Sequence, residues 1–243
     1  MAAQEEADEL LEAAGGDGEV LERLVARRVA GEPLAWVTGA VTFAGNQVLV
    51  HGGVYVPRWQ TEPLVARAIE LLPDDGLAAD LCTGSGAIAL ALARARPGAR
   101  VVATDIDPVA CRCAAANGVE VYAGHLTGPL PGELRGHFDL VIAVVPYVPS
   151  EELVFLPRDV REHEPLHALD GGPYGTRVLE QAVRAGAGLL HPGGSLLLEV
   201  GGDQDRALAG VLAGSGFSPL RRLEDDEGDL RGIEAKLGAV GSN

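Results

Sequence analysis

From residue 61 onward, short apolar segments alternate with alanine-rich segments that have helical spacing. The apolar segments lie at 77–81, 100–104, 119–123, 140–144 and 195–200. Strands that alternate with helices are joined by crossovers and run parallel, and strands that are apolar throughout have helices on both faces of the sheet. We therefore predict an α/β fold with a doubly wound, Rossmann-like sheet, and a terminal hairpin within 216–237.

The first 60 residues follow a different pattern. Residues 1–32 carry apolar side chains at helical spacing, interrupted by a glycine-rich run at 15–18, which predicts two short helices. Residues 33–60 are rich in β-branched and aromatic residues separated by glycines, which predicts a β-hairpin. We therefore divide the chain into a short helical segment at 1–32, a hairpin linker at 33–60 and a main domain at 61–243.

The composition argues against several classes of protein. A formal net charge of −16 repels phosphates, so we expect no nucleic-acid partner. No apolar run reaches the roughly 18 residues of a membrane helix, and the chain starts without a signal-peptide pattern, so we expect no membrane partner and a cytoplasmic location. The three cysteines, Cys82, Cys111 and Cys113, cannot all pair and lack a second cluster, which predicts reduced thiols and no metal site.

A glycine-rich turn follows the first strand of the main domain. The run from Asp80 to Gly86 leads directly into an alanine-rich helix, and such turns at the carboxyl edge of a parallel sheet bind ligands. Glycines at 84 and 86 let a ligand approach the backbone without meeting a Cβ atom. Asp105 ends the next strand, where its carboxylate can accept hydrogen bonds from both ribose hydroxyls of a nucleoside.

The same turn leaves alternatives open. The pattern Gly84-x-Gly86-x-x-Ala89 also matches the dinucleotide fingerprint, and a glycine turn can exist without any ligand. Asp80 favours S-adenosylmethionine, because its carboxylate opposes a pyrophosphate but suits a sulfonium and an amino group. Cys82 has no histidine in the motif to activate it, so we interpret it as a packing residue.

Several motifs in order resemble the release-factor glutamine methyltransferases, the HemK/PrmC family. The entry segment is RRVAGEPLAWVTG at 27–39, and VPRWQTE at 56–62 is similar to the family's I-P-R-P-x-T-E signature. The cofactor loop at 80–86 and the strand ATDIDP at 103–108 follow. DVREHEPLHALDGG at 159–172 and DLRG at 229–232 complete the match. The resemblance implies a class I methyltransferase fold and an enzyme that uses S-adenosylmethionine and releases S-adenosylhomocysteine.

The resemblance also implies which residues contact this cofactor. The implied residues are Asp80, Leu81, Cys82, Thr83, Gly84, Gly86, Asp105 and Ile106, with the adenine edge near His125 and Leu126. His125 departs from the family pattern, which usually has Asp there. A histidine can donate to an adenine nitrogen or stack on the ring, or it can simply face solvent.

The catalytic loop carries the largest departure. In the family, N-P-P-Y holds a glutamine amide between the Asn side-chain carbonyl and the backbone carbonyl of the first Pro. Here the loop reads Val144, Val145, Pro146 and Tyr147. Because Val144 removes one acceptor, a buried amide N–H would lose its partner at a cost of about 1–3 kcal/mol, unless a water or the Val145 carbonyl takes over.

These observations lead to three hypotheses. The first is methyl transfer to a small-molecule acceptor, at a carboxylate oxygen or a nitrogen, with five basic residues as the pool of substrate-binding candidates: Arg58, Arg158, Arg161, His163 and His167. The second is retained glutamine methylation of a peptide chain release factor. The third is a cofactor-binding protein without catalysis. We adopt the first hypothesis because of the changed loop.

Overall fold

The computed structural model describes residues 3–225 and 227–238. Its α-helices are α1 (Ala3–Ala14), α2 (Gly18–Val29), α3 (Leu34–Thr38), α4 (Glu62–Leu71), α5 (Ala87–Ala95), α6 (Pro108–Ala116), α7 (Arg158–His163), α8 (Arg177–Leu189) and α9 (Gln204–Gly214). Its strands are β1 (Ala40–Phe43), β2 (Asn46–Leu49), β3 (Leu77–Leu81), β4 (Arg100–Asp105), β5 (Glu120–Ala123), β6 (Phe138–Ala143), β7 (Leu190–Glu199), β8 (Phe217–Glu224) and β9 (Leu230–Leu237). Short 3-10 turns lie at Trp59–Thr61, Gly132–Leu134, Ser150–Phe155 and Leu166–Ala168.

The main sheet of the described residues has seven strands in the order β5-β4-β3-β6-β7-β9-β8. Strands β3 to β7 are parallel, while β9 runs antiparallel to both β7 and β8. The order reverses on either side of β3, as expected for a doubly wound sheet, and the predicted α/β fold with its terminal hairpin is confirmed. Each predicted parallel strand is present, although β7 begins earlier than the sequence indicated.

Helices cover both faces of the sheet, and the central strands β3, β4, β6 and β7 are accordingly buried on both sides. Leu81, Val141 and Leu198 pack on the face that α8 and α9 cover, whereas Ile142 and Leu197 pack on the face of α4 and α5. This arrangement places the carboxyl ends of β3, β4, β6 and β7 at one edge of the sheet, between the two helical layers. Ligands of open α/β sheets bind at this edge.

The N-terminal residues form helices and a two-stranded hairpin of β1 and β2. Helix α3 was not expected from its β-branched and aromatic residues. Arg27 stabilises it, because its guanidinium donates to the carbonyls of Trp36 and Val37 near the end of α3 and pairs with Glu32. The division of the chain at residues 32 and 60 stays a prediction.

The described ranges, 3–225 and 227–238, contain neither a membrane-spanning helix nor a cluster of metal ligands. None of their helices is long and apolar enough to cross a membrane. They also contain no group of three or more His, Cys, Asp or Glu side chains arranged to hold a metal ion.

Candidate active site

A cavity of about 820 Å³ opens at the carboxyl edge of the parallel strands. Its walls come from the loops after β3, β4, β6 and β7, and from the segment between β2 and α4. A volume of this size is within the range of about 300–1,000 Å³ that is typical of small-molecule sites. The cavity is therefore large enough for a nucleoside cofactor together with part of a second substrate.

The glycine loop forms one wall of this cavity. Gly84 and Gly86 have φ angles of +57° and +82°, which side-chain-bearing residues rarely adopt. A Cβ atom at Gly84 would meet no described atom within 4 Å, so the loop leaves space there for a ligand. A Cβ atom at Gly86 would lie 2.9 Å from the Val119 side chain, which explains glycine at the start of α5.

Asp105 connects the end of β4 to this loop. One carboxylate oxygen accepts the N–H of Gly84 at 2.8 Å, and the other accepts the N–H of Asp107 at 2.9 Å. Burial raises the pKa of Asp105, while these two backbone donors oppose the rise. Each carboxylate oxygen can accept a second hydrogen bond, so a ribose diol in the cavity could use the same residue.

Asp80 lies beneath the loop and has no exposed surface. Its Oδ2 accepts from the Thr83 hydroxyl at 2.5 Å and from the N–H of Ala89 at 3.2 Å. Its Oδ1 has no hydrogen-bond partner among the described residues, and burial raises the pKa of Asp80 to about 7. A cation bound beside the loop would favour the ionised form, so this carboxylate fits a sulfonium cofactor through the local electrostatic potential.

The remaining predicted cofactor residues divide into two groups. Cys82, Thr83 and Ile106 line the cavity. Cys82 has a left-handed φ of +61°, and burial raises the pKa of its thiol, as expected for a packing residue. Leu81 is fully buried in the core, whereas His125 and Leu126 follow β5 and do not belong to the cavity wall. The role of these three residues in cofactor binding stays a prediction.

The loop after β6 also contributes to the cavity wall. Val144, Val145, Pro146 and Tyr147 all line the cavity. The Tyr147 hydroxyl donates to Glu199 at 2.8 Å, and the Tyr147 carbonyl accepts from the Gln204 amide at 2.8 Å. These contacts hold Tyr147 against the end of β7 and the start of α9.

Glu199 also belongs to this wall, although it was not among the residues predicted from the sequence. It is 6% exposed, and its second oxygen accepts from the Thr61 hydroxyl at 2.5 Å. Burial raises the pKa of Glu199, while hydrogen bonds from Thr61 and Tyr147 oppose the rise. The available signal was an acidic residue directly after the apolar run Leu196-Leu-Leu, because a glutamate within a buried strand is rarely left without a partner.

The five basic candidates do not form one group. Arg58 and His167 line the cavity, but Arg58 is paired with the buried Glu164, and His167 lies 3.3 Å from Asp107. Arg158 is exposed and paired with Glu162.

The other two candidates also have neighbours outside the cavity wall. Arg161 is exposed and donates to the carbonyl of Val154, and His163 packs edge-on against Trp36. The structure therefore does not assemble a cation clamp for a carboxylate.

The fold and this site define a class I methyltransferase that depends on S-adenosylmethionine. Solved structures with the same fold include the E. cuniculi Mtq2-Trm112 complex, which is described as responsible for methylation of the eRF1 translation termination factor. The two chains are 20% identical with a TM-score of 0.56, and the match covers 77% of this chain and 99% of that chain. A ribosomal protein L11 methylase from Lactobacillus delbrueckii subsp. bulgaricus has 19% identity and a TM-score of 0.55 over 80% of this chain and 88% of that chain.

Curated relatives define the family. The release factor glutamine methyltransferase of Geobacter sulfurreducens is 36% identical over 88% of this chain and 77% of its own length. The corresponding protein of Mycolicibacterium smegmatis is 44% identical over 73% of this chain, which spans 65% of that protein. No protein-family model matches the chain. The chain belongs to the release factor glutamine methyltransferase family, and the predicted resemblance is confirmed.

The prediction of a small-molecule acceptor is wrong. The relatives are named as methyltransferases of release factors, which are protein substrates. The site gives a physical reason, because Arg58 is already neutralised by Glu164, and Glu199 adds a carboxylate to the cavity wall. The wrong prediction came from giving the Val144 substitution too much weight and from counting Arg58 as a free cation, although its partner Glu164 is distant in sequence and is brought to it only by the fold.

Proposed function

We propose that this protein transfers a methyl group from S-adenosylmethionine to the side-chain amide nitrogen of a glutamine in a peptide chain release factor. The observation that carries the proposal is the joint position of two loops at one cavity. The Gly84 loop with Asp105 and the Val145–Tyr147 loop line the same cavity, so a cofactor and an amide can meet there.

Each wall of the cavity has a task in this reaction. When bound, the cofactor supplies an electrophilic methyl group, so the protein mainly orients the nucleophile and excludes water. Asp105 and the backbone at Gly84 bind the nucleoside. The Val145 carbonyl accepts one amide N–H, and Tyr147, fixed by Glu199 and Gln204, lines the slot for the glutamine side chain.

The charge of the wall favours a neutral acceptor. Glu199 and Asp159 line the cavity, and Arg58 has its own carboxylate partner. A glutamine amide presents two N–H donors to such a wall, whereas a glutamate would bring a further negative charge beside Glu199. We therefore expect the enzyme to distinguish glutamine from glutamate in the same peptide. The reaction is expected in the cytoplasm.

The test uses the native protein with S-adenosylmethionine labelled in the methyl group. Three release-factor peptides are compared, which carry Gln, Glu or Asn at the target position. We expect transfer to the Gln peptide, with mass spectrometry placing the label on the side-chain nitrogen, and at least about 100-fold slower transfer to the Glu peptide because an unpaired charge is left in the site. Equal rates on the Gln and Glu peptides, or labelling elsewhere in the Gln peptide, would overturn the proposal.

A further inference from the structure

Glu199 lies beside the position at which the catalytic loop has lost its amide oxygen. Strands β6 and β7 are parallel, and Ala143 pairs with Leu198, so the next residues, Val144 and Glu199, are neighbours at the strand ends. Leu197 and Val144 pack in the same cluster, and Glu199 points to the same face as Leu197 because strand side chains alternate. Val144 and Glu199 thus face the same side of the sheet at the same edge of the cavity.

The carboxylate of Glu199 is held in place and keeps capacity for another donor. Tyr147 donates to one oxygen and Thr61 to the other. A carboxylate has about four lone-pair sites, so both oxygens can accept a further hydrogen bond. The carboxylate is buried, so its position is well defined. A lone pair that finds no donor costs more free energy there than in water, which favours binding of a further N–H.

We propose that Glu199 replaces the missing Asn oxygen, accepting one N–H of the glutamine amide and then the proton released by methyl transfer. This inference rests on the proposed function, because it assigns the residue that handles the same amide. In the step, the amide nitrogen donates its electron pair to the methyl carbon, and the carbon–sulfur pair stays on sulfur. The surplus N–H proton passes to a Glu199 oxygen and from there to solvent.

The surroundings of Glu199 suit both tasks. Burial raises the pKa of Glu199, which makes it a better proton acceptor than an exposed carboxylate. The titratable groups that face it are Tyr147 from the loop after β6, Tyr55 from the segment after β2, and Arg231 from β9. Arg231 is paired with Asp225 at 2.7 Å, and burial raises the pKa of Tyr55 to about 12, so neither group competes for the proton near neutral pH.

The test compares Glu199→Gln, Val144→Asn and the double variant on the Gln peptide. We expect Glu199→Gln to lower kcat by about 100-fold, within the range for loss of a general base. Calorimetry should give unchanged S-adenosylhomocysteine affinity, and about tenfold weaker binding of the peptide to the S-adenosylhomocysteine-loaded protein. The acidic limb of the pH–rate profile, which reports protonation of Glu199, should disappear in this variant.

Val144→Asn separates an acceptor role from a purely structural one. The amide has two N–H donors, and under this proposal Val145 and Glu199 accept both, so an oxygen added at 144 of the native protein has no amide donor left to accept. In the Glu199→Gln background the same change should recover about tenfold in kcat and restore peptide binding. Such non-additivity is expected where two groups serve one contact.

Glu234→Gln is the matched control. Glu234 is a buried carboxylate of the adjacent strand β9, paired with Arg67 and outside the cavity wall. This variant should lower the melting temperature but leave kcat within about twofold. If the native protein methylates the peptide and Glu199→Gln retains both kcat and peptide affinity, the inference about Glu199 is overturned but the proposed function is not. A native protein that transfers no methyl group overturns the proposed function and the inference together.

Discussion

Replacing Asp105 with alanine is expected to weaken binding of S-adenosylmethionine and S-adenosylhomocysteine by about 10- to 150-fold. The two Asp105 oxygens accept the N–H groups of Gly84 and Asp107 at 2.8 and 2.9 Å, and their remaining lone pairs are available to the ribose diol. Hydrogen bonds to a charged group contribute about 1.5–3 kcal/mol, and each 1.4 kcal/mol changes affinity about tenfold. Asp105→Asn retains one oxygen and should lose less affinity than Asp105→Ala.

Isothermal titration calorimetry measures both affinities, and thermal melts measure stability. Asp17→Ala is the control, because Asp17 also accepts two backbone N–H groups, at 2.9 and 3.0 Å, but caps α2 outside the cavity wall. The control should lose about 1 kcal/mol of stability and no cofactor affinity. Equal cofactor affinity in native protein and Asp105→Ala would refute the assignment of the ribose acid.

Three further predictions concern the surroundings of the site. Burial raises the pKa of Asp80 to about 7, above its unfolded value of about 3.9. Between about pH 4 and 7 the folded protein therefore binds a proton that the unfolded chain does not, so the unfolding free energy measured by denaturant titration should fall as pH rises through this range. Asp80→Asn should make this fall smaller, and an unchanged slope would contradict the buried carboxylate. Arg58→Ala should destabilise the protein by about 3–5 kcal/mol in the same assay, because it leaves the buried Glu164 carboxylate unpaired. Arg158→Ala removes an exposed ion pair and should cost at most about 1 kcal/mol. Equal costs would contradict the assignment of a buried ion pair to Arg58 and an exposed one to Arg158. Gly175→Ala would place a Cβ atom 2.1 Å from the Tyr147 carbonyl oxygen, so it should lower both the melting temperature and methylation. Gly118→Ala has a similar positive φ and no described atom within 4 Å, so it should cost about 1–2 kcal/mol from backbone strain alone. Similar melting temperatures for the two variants would refute the steric argument.

The sequence by itself determined the fold class, the position of the glycine loop and the family. Strand and helix periodicities are local properties, and a parallel sheet follows from their alternation regardless of which side chains meet. The Gly84 loop and Asp105 were predictable for the same reason, because both are fixed by their distance from a strand end. The motifs from 27–39 to 229–232 identified the family because they depend on order and spacing alone.

The tertiary structure decided which side chains share the cavity and which charges are free. Glu164 and Glu199 are far in sequence from Arg58 and Tyr147, so no local pattern shows that Glu164 neutralises the arginine and that Glu199 accepts from the tyrosine. A substrate role was therefore predicted for Arg58, a cation that already has a partner, and the acid next to Val144 was not predicted. Ala143 of β6 pairs with Leu198 of β7, so the two parallel strands bring residues about 55 positions apart to one edge of the sheet. This long-range register is set by packing across the whole core.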